Sequence, residues 1–109
     1  MPTKEGIEAT CPECRGPLRI LQTDELVEIS CLVGHAYSPR GLLLAHSEAQ
    51  EKALWAAVVA LRETSEIVNR LAGEFPPEVA EKLRRQMEAK LSQAMIVEEV
   101  IHKLEPFDV

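Results

Sequence analysis

Cys11-Pro-Glu-Cys14 and Cys31-Leu-Val-Gly-His35 hold every cysteine of this 109-residue chain and one of its three histidines. They read as a Cys-x2-Cys pair, a spacer of sixteen residues and a Cys-x3-His pair. Thiolate and imidazole are the donors Zn2+ prefers, and four of them in a tetrahedron close its coordination shell. Cys11, Cys14, Cys31 and His35 are therefore the candidate ligands of one structural zinc. A catalytic zinc keeps a position open for water, and a shell closed by four protein ligands does not. Gly16 and Gly34 allow tight turns whose N–H groups point at the sulfurs, which matters because three thiolates leave the site with net negative charge. Two other uses of the cysteines stand beside this one. A redox Cys-x2-Cys pair lacks the βαβ context it needs and leaves Cys31 and His35 idle. Buried cysteines without metal are the other.

Other residue types that could do chemistry are weaker. His46 and His102 fall singly in helical stretches, where surface or interface roles are the ordinary ones. Glu48, Glu51, Glu63 and Glu66 invite comparison with a di-iron bundle, but the Glu-x-x-His motifs of that architecture are missing. No nucleophile elbow, phosphate loop or dinucleotide fingerprint occurs. The expectation is a protein that is not an enzyme.

The elements that must position the ligands follow from the pattern around them. Residues 1–10 read as a weakly ordered lead-in. Leu18–Gln22 and Leu26–Cys31 are β-compatible and flank the polar turn residues Thr23-Asp24-Glu25, a short antiparallel hairpin between the two knuckles. Two strands are marginal in water, so the metal supplies most of that module's stability. Ser38-Pro39 is a helix start, serine as N-cap and proline at the first helical position. Leu54, Val58, Leu61, Ser65, Val68 and Ala72 form an apolar stripe at helical spacing. Gly73 and Pro76-Pro77 end that helix. A second stripe runs through Val79, Leu83, Met87, Leu91, Ala94, Val97 or Glu98, Ile101 and Leu104 to a stop at Pro106. The fold class is α+β, mostly α: a small zinc-ribbon β-hairpin, then a long antiparallel two-helix hairpin. The division is residues 1–38 for the zinc-ribbon module and 39–109 for the helices, at about 39–72 and 77–104.

Composition narrows the partners. Twelve Lys and Arg stand against eighteen Asp and Glu, a net charge of -6. Residues 1–38 carry Lys4, Arg15 and Arg19 against six carboxylates. That balance opposes phosphate-backbone contact and anionic membranes, so nucleic acid is the weaker alternative partner, as for a zinc ribbon of a transcription or RNA-processing assembly. No apolar run spans a bilayer, the amino terminus has no apolar signal core, and unpaired cysteines suit a reducing compartment; a cytoplasmic location is expected. Two helices with wide stripes leave apolar surface over, so a protein partner or a homo-oligomer through the helices is expected. Leu54, Trp55, Val58 and Val59 are the candidate contact patch.

The motifs Cys11-Pro-Glu-Cys14-Arg-Gly-Pro-Leu18 and Cys31-Leu-Val-Gly-His35-Ala-Tyr-Ser38, followed by Leu42-Leu43 and Glu51-Lys-Ala-Leu-Trp55-Ala-Ala-Val-Val-Ala-Leu61-Arg-Glu63, carry a family resemblance. Over roughly residues 9–72 the chain resembles the C-terminal extension on some bacterial chemotaxis protein-glutamate methylesterases, the CheB family. The resemblance implies the same four zinc ligands and a role as adaptor or regulator in bacterial, chemotaxis-like signal transduction. The catalytic methylesterase domain of that family is outside these residues, so its activity is not implied. Arg15-Gly16-Pro17 departs from the more glycine-rich turn of the pattern, a change expected on the outside of the knuckle.

Overall fold

Strand-forming residues occupy the first third of the chain and helix-forming ones the rest, and the computed structural model, which describes residues 3–109, follows that division. Four strands form one antiparallel sheet in the order of the chain: β1 (Thr3–Thr10), β2 (Pro17–Thr23), β3 (Leu26–Cys31) and β4 (Ala36–Tyr37). Helix α1 spans Pro39–Leu71, a 3-10 turn covers Ala72–Glu74, and helix α2 spans Pro77–Lys103. The fold is thus α+β and mostly helical. The chain divides into two compact units, one of residues 1–50 with 106–109, the other of residues 51–105.

In the first unit, β2 and β3 pair with Leu18 opposite Cys31 and Ile20 opposite Ile29, closed by a turn at Asp24 and Glu25. Asp24 takes the left-handed φ of 51°, which a short polar side chain tolerates. Residues 3–10 are a strand rather than a loose lead-in, which corrects the sequence expectation; Met1 and Pro2 lie outside the described residues. Ile7 pairs with Leu18, and Ile7 and Ala9 pack on the core, while the exposed Glu5, Gly6, Glu8 and Thr10 disguise the alternation. Strand β4 was likewise unforeseen, since two residues, Ala36 and Tyr37, carry no periodicity of their own; they pair with Ser30 and Ile29. The core of this unit is Cys11, Leu18, Ile29 and Cys31. Half of it is thiol, so the sheet has little apolar volume to close on without a metal.

The helix start at Ser38-Pro39 holds. The Gly41 N–H donates to Ser38 Oγ at 3.0 Å and the Leu42 N–H to the Ser38 carbonyl at 2.9 Å. Proline at the next position gives up an N–H that the first turn leaves unpaired anyway. Ser38→Ala is expected to destabilise the first turns of α1 by about 1 kcal/mol, read as a lower midpoint in denaturant unfolding followed by circular dichroism. Leu42 packs on the sheet core, and His46 Nε2–H donates to the Thr10 carbonyl at 2.8 Å, tying α1 to the end of β1. His46 is therefore a structural tie between α1 and β1.

In the second unit, Val58, Ala94 and Ile101 form the core, with Leu54, Leu61 and Val97 packed against them. These are members of the two stripes expected from spacing. Two stripe positions fall off it: Val79 and Leu104 are 40% exposed, and Ala80 is buried at the start of α2. One residue along a helix turns the side chain by about 100°. Since helix α2 begins at Pro77, its first turn presents Ala80, and not Val79, inward.

Candidate metal centre

Each pair of ligands rests on a tight turn held by its own backbone. In the first, the Cys11 N–H donates to the Gly16 carbonyl and the Arg15 N–H to the Cys11 carbonyl, both at 2.8 Å. In the second, the Cys31 N–H donates to the His35 carbonyl at 3.0 Å and the Gly34 N–H to the Cys31 carbonyl at 3.2 Å. The two turns are alike down to one left-handed residue, Arg15 at φ 62° and Gly34 at φ 113°. Arg15 takes the left-handed conformation that glycine supplies in the second turn. Gly16 is needed for a different reason: a Cβ there would lie 3.3 Å from Cys14 Sγ. The turns also aim N–H groups at sulfur, Gly16 N–H at Cys14 Sγ (3.4 Å) and His35 N–H at Cys31 Sγ (3.3 Å).

Leu18 opposite Cys31 in the sheet register brings the two turns side by side. The ligand atoms of Cys11, Cys14, Cys31 and His35 all lie within 4.8 Å of one another, close enough to hold one metal ion. Cys14 Sγ and Cys31 Sγ are 3.6 Å apart; His35 Nδ1 is 3.6 Å from Cys11 Sγ and 3.4 Å from Cys31 Sγ. Zn–S bonds of about 2.3 Å and Zn–N bonds of about 2.1 Å in a tetrahedron require edges of about 3.6–3.8 Å. These three separations lie near those edges, so the four donors are close enough to hold one such ion, and a donor set of three sulfurs and one imidazole is one that zinc prefers over hard, oxygen-seeking cations.

Two residues at the site escaped the sequence reading. Glu13 Oε2 accepts from His35 Nε2–H at 3.0 Å, which leaves Nδ1 free to face the sulfurs. Such a carboxylate fixes the tautomer and ring plane of a metal-bound histidine. The Tyr37 hydroxyl, 3.3 Å from Cys11 Sγ, donates to the thiolate. Neither has a spacing rule: one sits inside the Cys-x2-Cys loop, and the other reaches the site from β4.

Electrostatics at the site favour ionised sulfur. Burial pushes the Cys11 thiol up, but the Tyr37 hydroxyl and the Cys14 and Glu13 N–H groups outweigh it and bring it down to about 6. Cys31 is also lowered, burial again opposing and the His35 N–H leading the groups that win. Cys14, although helped by the Gly16 N–H, is raised on balance by burial and by its two sulfur neighbours. Contact with Cys31 leads the causes that raise His35. Burial, followed by the Cys11 sulfur, pushes Tyr37 up, so its hydroxyl stays protonated and able to donate.

Replacing Glu13 with alanine is expected to weaken zinc binding about tenfold, within the range found for carboxylates behind histidine ligands. Competition against a chromophoric chelator measures it, and Glu13→Gln, which keeps an acceptor oxygen, is expected to recover part of the loss.

The remaining candidate residues lie on the helices. Val58 is fully buried and Leu54 half-buried within the helix-pair core, while Trp55 and Val59 are 38% and 48% exposed. The Trp55 ring meets His102 edge-on, centroids 6.5 Å apart. Of the exposed patch, then, Trp55 and Val59 face outward. The carboxylates Glu66 and Glu98 pair with Arg70 and Arg62. No helix among the described residues is long and apolar enough to cross a membrane. No protein-family model, no curated protein and no solved structure matches this chain.

Proposed function

We propose that the chain is a non-catalytic, zinc-clipped protein-interaction module. One structural Zn2+ is held by Cys11, Cys14, Cys31 and His35 Nδ1, and it closes the four-stranded sheet from which α1 starts. The single observation that carries this reading is the gathering of the four donors within 4.8 Å of one another, with Glu13 behind the histidine. Four protein ligands fill the shell, so the ion serves stability rather than hydrolysis.

The helix pair carries the protein-binding surface. Trp55 and Val59, exposed one turn apart on α1, form the contact patch, and an aromatic anchor is the residue type that dominates such contacts. The resemblance to the extension of chemotaxis methylesterases supports an adaptor or regulator role in bacterial signal transduction, in the cytoplasm. The acidic balance of the first 38 residues supports a protein partner over nucleic acid.

Elemental analysis of protein purified without added chelator tests the metal: one zinc per chain is expected, and a value well below one refutes the site. A pull-down with zinc-loaded protein, repeated with Trp55→Ala, tests the surface. Partners captured by the parent chain and lost by the variant are the expected result; identical captures refute the Trp55 patch.

A further inference from the structure

The three sulfurs of the metal centre are not equally accessible. Cys14 is exposed, whereas Cys11 and Cys31 are buried. Cys11 Sγ is enclosed further by the Tyr37 hydroxyl at 3.3 Å and by His35 Nδ1 at 3.6 Å. An oxidant arriving from solvent therefore meets Cys14 first. The susceptibility of a cysteine to oxidation follows its exposure and its thiolate character. A thiol that serves as a metal ligand is ionised outright, so Cys14 combines the two properties.

A second sulfur is placed to complete the reaction. Cys31 Sγ lies 3.6 Å from Cys14 Sγ, and a disulfide needs the two to close to about 2.05 Å. Cys31 ends β3, but Cys14 lies in the turn between β1 and β2, outside the paired residues of the sheet. The turn can carry Cys14 toward Cys31 without moving any strand out of register. A low-lying barrier of this kind, an exposed thiolate beside a resolving one, is the arrangement that favours reversible oxidation over irreversible damage.

We infer that Cys14 is an oxidation site for hydroperoxides, with Cys31 as its resolving partner, and that the disulfide they form empties the metal centre. The Cys14 thiolate attacks one oxygen of hydrogen peroxide; an S–O bond forms, the O–O bond breaks, and hydroxide leaves a sulfenic acid behind. The Cys31 thiolate then attacks that sulfur; the S–S bond forms, the S–O bond breaks, and a second hydroxide leaves. The two sulfurs give up two electrons, the peroxide takes them, and each hydroxide takes a proton from solvent to become water. Two of the four ligands are spent, and Cys11 with His35 falls two donors short of a structural zinc shell. The bond is not the Cys-x2-Cys pair: it runs between the two turns and ties together the segments that the ion tied. A thiol reductant reverses it. This inference rests on the reading of the site as a zinc centre and adds a means of regulating it.

Hydrogen peroxide added to the zinc-containing chain tests the inference. A chromophoric zinc indicator is expected to report loss of the bound zinc, and a dithiol reductant with fresh zinc is expected to restore it. After the free thiols are alkylated, cleavage after glutamate separates Cys11 from Cys14 at Glu13 and Cys31 from both at Glu28. Mass spectrometry is expected to find Cys14 joined to Cys31, with Cys11 alkylated. Zinc retained in excess peroxide overturns the inference. So does a disulfide that includes Cys11, or a Cys14 oxidised to sulfinic acid while Cys31 is still alkylated. Zinc content measured before the peroxide is added decides the reading of the site, and the mapped pair decides this inference, so the two fail separately.

Discussion

Removal of the metal is expected to unfold the β1–β4 sheet and leave the helices of residues 51–105 largely intact. In the first unit the buried core consists of two thiols and two aliphatic side chains, Leu18 and Ile29. Without the ion, the sheet must close on that pair and on half-buried neighbours such as Ile7, Ile20 and Val27. Structural zinc sites of this donor type bind with apparent free energies of about 10–16 kcal/mol, and that binding energy is folding energy. Far-UV circular dichroism during titration with a strong chelator is expected to show loss of strand signal. Part of the helical signal goes with it, because the first turns of α1 are held to the sheet by Leu42 and by the bond from His46 to Thr10. Cys11→Ser is expected to reproduce the unfolding in the presence of zinc. A chelated chain whose amide exchange over residues 3–38 stays slow contradicts the expectation.

The same site sets a pH dependence. The Cys11 thiol falls from its ordinary 9.0 to about 6 in the folded sheet, so the stability it lends that sheet is complete above about pH 9 and is lost as pH falls through about 6. Protons compete with zinc over the same range, and they compete first at Cys14, the thiol that its neighbours hold up. Zinc binding at neutral pH is therefore expected to release protons and to weaken steeply toward pH 6. Calorimetry in buffers of different ionisation enthalpy measures the proton release. Binding that does not change between pH 8 and pH 6 contradicts it.

The second large effect lies in the helix pair. Val58→Asp is expected to abolish the cooperative unfolding transition of residues 51–105. Val58 is fully buried against Ala94 and Ile101, and Arg62, the cation one turn along α1, is already paired with Glu98. Burying an unpaired charge costs about 3–5 kcal/mol, a large share of what so small a unit can hold. Val59→Asp, one residue on and 48% exposed, is expected to change stability by less than about 0.5 kcal/mol. Thermal melts of the two variants side by side separate the buried position from the exposed one.

That contrast between adjacent valines shows where a sequence reading ends. The four candidate metal ligands were legible because tight-turn spacing and donor type are local properties, written in Cys11 to Cys14 and Cys31 to His35. The helix ends were legible for the same reason: Ser38-Pro39 starts α1, and Pro77 at the first position starts α2, each acting within one turn. The apolar periodicity located the stripe that becomes the core. Glu13 behind His35, Tyr37 on Cys11 and the strand at residues 3–10 were not legible, because each is defined by what another segment brings to it. Ile7 and Ala9 become strand residues only against Leu18 and its neighbours, and Tyr37 becomes a donor to sulfur only once β4 pairs with β3. The sequence by itself determined which residues can offer ligands to a metal and where the helices begin and stop, since short-range sterics and hydrogen bonding settle both. Only the tertiary structure decided that Glu13 and Tyr37 meet the ligands, that residues 3–10 pair as a strand and that Ala80 rather than Val79 is covered, because each depends on what another segment brings to it.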